Sequence, residues 1–87
     1  MIKGTTKSGF RYEVKETIGK DFKILKLIRM TDKDPTRIFD LAVAILGEKQ
    51  LSNLENYLEK RDGYVDTWKI TKEIMEIFTG NPLLKNS

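Results

Sequence analysis

The chain predicts a mainly α fold of the α+β kind, with about four helices packed as a small bundle behind an N-terminal β-hairpin. Three observations lead there. Leu41, Ala42, Ile45 and Leu46 recur at helical spacing, and Leu51, Leu54, Tyr57 and Leu58 do so again beyond Gly47. Phe10, Tyr12 and Val14 alternate at period two after a Ser8-Gly9 turn signal. Glycine and proline fall between these segments, at Gly19, Pro35, Gly47, Gly63, Gly80 and Pro82.

At 87 residues the chain is expected to be one domain, with the hairpin over 1–15, the helical bundle over 21–80 and a flexible tail over 81–87. The hairpin pairs Ile2-Lys3-Gly4-Thr5-Thr6 with Phe10-Arg11-Tyr12-Glu13-Val14. Two strands alone are marginal in water, so its apolar face should lie on the helices. The alternative is a free sheet edge offered to a partner.

Asp21 is placed to cap a first helix running from Phe22 to about Met30. Phe22, Leu25 and Ile28 form one stripe, widened by Ile24, Leu27 and Met30, which implies contact on more than one side. Lys20, Lys23, Lys26 and Arg29 step by three and read as a solvated face.

Pro35 suits the first turn of a second helix, with Asp34 capping it and Gly47 stopping it. Because the link at Gly47 is short, the second and third helices are expected to pack as an αα-hairpin. The third covers roughly Glu48 to Lys60, with Glu48, Ser52, Asn53, Glu55, Asn56 and Glu59 outward, and Asp62-Gly63 ends it. Asp66 caps the last helix, where Val65 and Ile70 are spaced as a hydrophobic staple. Its inward stripe is Ile70, Ile74, Ile77 and Phe78, with Met75 beside it.

The residue inventory bears on function by exclusion. No cysteine and no histidine means no disulfide, thiolate nucleophile, imidazole base or Cys/His zinc site. The carboxylates, Glu13, Glu16, Glu48, Glu55, Glu59, Glu73 and Glu76 among them, read as surface charges. Glu73 and Glu76 are three apart on one helix, but two carboxylates without a second ligand pair do not make a metal site. Asp32 and Asp34 do not open an EF-hand loop, since Arg37 holds the required glycine position and Val43 that of the bidentate glutamate. No glycine-rich phosphate loop joins a strand to a helix. No catalysis and no cofactor are expected.

A net charge of +3 describes a mildly basic, mixed-charge surface. No apolar run approaches the roughly 20 residues of a membrane span. The first residues, Met1 to Gly9, lack the apolar core of a signal peptide, which fits a cytoplasmic protein. Helices two and three suggest a small helix-turn-helix-like DNA-binding regulator as an alternative function. Glu48, Glu55 and Glu59 on the would-be reading helix oppose it, because they would face phosphate. What remains is binding to protein. Tyr64, Trp68, Leu83 and Leu84 are the candidate partner-binding residues: two aromatics at the start of the last helix and two leucines in the tail.

Several short segments also carry a resemblance. They are Lys3-Gly4-Thr5-Thr6-Lys7-Ser8-Gly9-Phe10, Ile45-Leu46-Gly47-Glu48-Lys49-Gln50, Asp62-Gly63-Tyr64-Val65, Glu73-Ile74-Met75-Glu76-Ile77-Phe78 and Lys85-Asn86-Ser87. Together they resemble the small tail assembly chaperones of long-tailed phages and prophages of Gram-positive hosts. The first helix is more basic than that family's version. The resemblance implies a non-enzymatic helper in the host cytoplasm, absent from the mature virion. It implies binding to the tape-measure protein, contact with the tail-tube protein, and self-association as a homo-oligomer. It further implies a longer frameshifted form, and Lys85-Asn86 is the dipeptide that a slippery A-AAA-AAC run encodes.

Overall fold

The computed structural model describes residues 1–80. Strands β1 (Ile2–Thr5) and β2 (Arg11–Val14) form an antiparallel hairpin, and a 3-10 turn over Glu16–Gly19 leads into α1 (Phe22–Lys33). A second 3-10 turn, Pro35–Arg37, runs straight into α2 (Ile38–Asp62), and α3 (Thr67–Gly80) follows.

Registers and caps follow local chemistry. Ile2 pairs with Val14 and Gly4 with Tyr12. The turn closes through Thr6 N–H to Phe10 O at 2.8 Å and Gly9 N–H to Thr6 O at 2.9 Å, and Gly9 takes a positive φ of 100°. The Asp21 carboxylate accepts from Lys23 N–H at 2.9 Å, and that of Asp34 from Thr36 N–H at 3.1 Å. Asp66 accepts from Trp68 N–H at 2.8 Å and Lys69 N–H at 3.3 Å. Gly63 closes α2 in the left-handed region, with its N–H on Glu59 O at 2.7 Å. α1 continues past Met30 to Lys33, and Thr31 Oγ1 bonds back to Leu27 O.

There are three helices where about four are expected. The second and third expected helices are one 25-residue helix, α2, in which Gly47 alone leaves helical geometry. Two helical segments of α2 therefore meet in a kink at Gly47. Its φ of 79° and ψ of 163° belong to a region essentially open only to glycine. At about 100° per residue, an unbroken helix would put Leu51, Leu54 and Leu58 about 180° away from Ile38, Leu41, Ala42 and Ile45. All seven are buried in one core, so the bend reconciles two faces that a straight helix would oppose.

That core also takes Ile2, Phe10, Tyr12 and Val14 from the hairpin, Ile18, Ile24 of α1, and Ile70, Ile74 and Ile77 of α3. The hairpin thus lays its apolar face on the helices. α1 engages on one side only, through Ile24, Leu27 and Ile28. Phe22, Leu25 and Met30 are exposed, so the expected contact on more than one side is not made within the described chain. No helix among the described residues is long and apolar enough to cross a membrane.

Candidate functional site

Two regions carry the features that could serve a function: a polar seam where the hairpin meets α2 and α3, and an open apolar groove.

The seam is built from side chains reaching across the sequence. Ser8 Oγ donates to Glu73 Oε1, and Lys7 N–H donates to Glu76 Oε2 at 2.6 Å. Tyr57 OH donates to Ser8 O, and the Tyr57 ring stands 6.0 Å from that of Phe10. Gln50 Nε2 donates to Glu13 O at 2.6 Å while Gln50 Oε1 accepts from Glu13 N–H at 2.7 Å. One amide side chain thereby occupies the hydrogen-bonding edge of β2 at Glu13, where a partner strand would otherwise pair.

Glu73 is a correction to the sequence reading, because it is buried, not a surface charge. Ile70, Glu73, Ile74 and Ile77 share one helical face, and that spacing is the signal that places Glu73 inside. Its Oε2 has no hydrogen-bond partner among the described residues. The seam sets the Glu73 carboxylate beside the Ser8 hydroxyl. No group of three or more acidic side chains among the described residues could hold a metal ion.

The groove has about 320 Å³ of space, and three pieces of chain converge on it. Ile38, Phe39 and Ala42 come from α2 before the bend, Leu51 and Glu55 from α2 after it, and Val65, Thr67 and Ile70 from the turn into α3. The bend at Gly47 makes the groove, since it turns the two halves of α2 towards each other's apolar faces. The lining is apolar except for Glu55 and Thr67, and Phe39 stands 67% exposed.

Tyr64 and Trp68, both expected as partner-binding residues, belong to the same turn and helix start. They are 59% and 66% exposed. Tyr64 OH bonds Asp66 Oδ2 at 3.0 Å, which raises the tyrosine pKa and lowers that of the aspartate. Asp66 is thus held charged as the cap of α3. Just before it, Lys69 Nζ sits 2.8 Å from Asp62 and Arg61 lies 3.3 Å away on the other side, both lowering the Asp62 pKa. These contacts tie the turn to the start of α3, where Tyr64 and Trp68 stand exposed. Leu83 and Leu84, the other expected pair, lie outside the described residues.

Phe39 is the residue that sequence reading missed. It precedes the Leu41/Ala42 stripe and has no periodic signature of its own; only the bend gives it a groove to border. No protein-family model matches the chain, and neither a curated protein nor a solved structure matches it.

Proposed function

We propose that this chain is a non-enzymatic phage tail assembly chaperone that binds the tape-measure protein during tail morphogenesis. The observation that carries the reading is the open apolar groove bordered by exposed Phe39, with exposed Trp68 on the adjoining helix start. Such a surface suits an amphipathic helix laid in by its apolar face. The tape-measure protein is long and helical, and it must be kept soluble until tail-tube subunits surround it. The full-length spread of the phage-like segments supports the same reading, as does a sequence with neither histidine nor cysteine for catalysis.

The chaperone acts in the host cytoplasm and leaves before the particle is finished. Co-expression with the tape-measure gene of the same tail cluster tests it. The expected result is a soluble complex that co-elutes; unchanged tape-measure solubility and no complex would overturn the proposal. The frameshifted long form is tested in the gene: it requires AAA-AAC at Lys85-Asn86 and an open −1 frame beyond Ser87.

A helix-turn-helix-like DNA-binding regulator has less support. That motif needs a short turn between two helices. At Gly47 the two helical segments of α2 meet across a kink of one non-helical residue, which is too short for that turn.

A further inference from the structure

We propose that the outward face of α1 docks the chain on an anionic phospholipid surface, as a peripheral contact. The side of α1 opposite its core face carries this. There Phe22, Lys26, Arg29 and Lys33 fall within about 60° of one another, and all four are exposed. Leu25 borders this stripe on one edge and Met30 on the other, both exposed. Phe22 is 75% exposed, the most of any large apolar side chain among the described residues.

Charge is concentrated on the same segment. Residues 20–37 hold six basic and three acidic side chains, and the rest of the chain holds ten of each, so this segment carries the whole net charge of +3. No cation of α1 has a carboxylate within ion-pairing distance among the described residues. Two of the three acids are engaged elsewhere: Asp21 accepts from Lys23 N–H as the cap of α1, and Asp34 holds Thr36 and Arg37. The third, Asp32, lies off the stripe on its Leu25 edge, two turns farther along the helix.

A phospholipid headgroup layer answers both halves of this chemistry. Lys26, Arg29 and Lys33 meet the phosphates, while their alkyl stems and Phe22, Leu25 and Met30 enter the acyl boundary. The stripe runs about 17 Å along the helix, so α1 lies in the membrane plane. Nucleic acid would use the cations, and Phe22 would stack on a base, but Leu25 and Met30 would stay in water. The contact does not cross the bilayer, since no helix among the described residues is long and apolar enough to do so. One short apolar edge beside a few cations gives reversible binding that weakens with salt. No residue of α1 lines the groove, so the two surfaces are separate and this contact does not rest on the chaperone reading.

The test is flotation of the chain alone with two kinds of vesicle, phosphatidylcholine mixed with phosphatidylglycerol and phosphatidylcholine only. The chain is expected to float with the anionic vesicles at low salt, to be released as salt shortens the screening length, and not to float with the neutral ones. K26E/R29E is expected to bind at least about tenfold more weakly. A second variant reads insertion directly: F22W/W68F moves the chain's one tryptophan to the α1 face. Its emission is expected to shift to shorter wavelength on anionic vesicles. All four positions are exposed, so circular dichroism should match wild type. Absence of flotation at low salt, equal binding to neutral vesicles, a folded K26E/R29E that binds like wild type, or F22W/W68F emission that does not move each overturns the proposal. If the chain binds duplex DNA through these cations and ignores the vesicles, the face belongs to nucleic acid and the proposal fails. None of these measurements includes the tape-measure protein, so their failure leaves the chaperone reading intact.

Discussion

The two sides of α2 are finished differently. On one side the hairpin closes over the bundle, and polar groups meet partners across the seam: Gln50 with Glu13, Tyr57 and Glu73 with Ser8, Glu76 with Lys7. On the other side the groove stays open, Phe39 and Trp68 are exposed, and Glu55 has no ion-pair partner among the described residues. Except at Glu73 Oε2, hydrogen bonds across the seam offset the cost of burying its polar groups. Leaving large apolar groups in water has no such compensation within the fold, and contiguous patches of that kind mark interaction surfaces. The seam closes the fold, and the groove is the surface proposed to bind.

Substitutions break that comparison in a graded way. The largest loss is expected in the core that both sides share. Leu54→Ala removes a fully buried side chain and should cost about 2–5 kcal/mol in urea unfolding. Gly47→Ala comes next. Space is open around Gly47, so the cost is backbone strain alone, about 1–3 kcal/mol less any gain from a stiffer unfolded chain. Because the bend forms the groove, this variant should lose partner binding as well as stability.

Gln50→Ala removes both bonds to Glu13 and should cost about 1–2 kcal/mol, while leaving the groove untouched. Acid acts more weakly. Asp34, Asp62 and Asp66 are held below their ordinary value of 3.8, Asp34 chiefly by Thr36, Asp62 by Lys69 and Asp66 by Tyr64. Their folded pKa values are depressed, so the stability they contribute is full above about pH 4 and lost as pH falls through those lower values. Thermal unfolding at pH 7 and pH 3 should show the Tm falling with acid, and Asp66→Asn should shrink that fall.

Much of the hairpin and of the capping was legible in the sequence. Asp21, Asp34, Asp66 and Gly63 act through neighbours two to four residues away, and local spacing reports such contacts directly. The number of helices was not legible, because glycine marks a bend and a stop alike. The deciding signal is the change of apolar phase across Gly47. Glu73 was misread because its partner, Ser8, lies 65 residues away. The aromatics Tyr64 and Trp68 could be named from sequence, but the groove could not, since it exists only once the bend brings Ile38, Leu51 and Ile70 together.

The division between a folding side and a binding side is tested most directly by one double variant, Phe39→Ser with Trp68→Ala, assayed for urea unfolding and for co-elution with the tape-measure protein. Both residues are exposed, so the unfolding free energy should stay within about 0.5 kcal/mol of wild type. Co-elution should be lost. A double variant that unfolds like wild type and still co-elutes with the tape-measure protein would contradict the account.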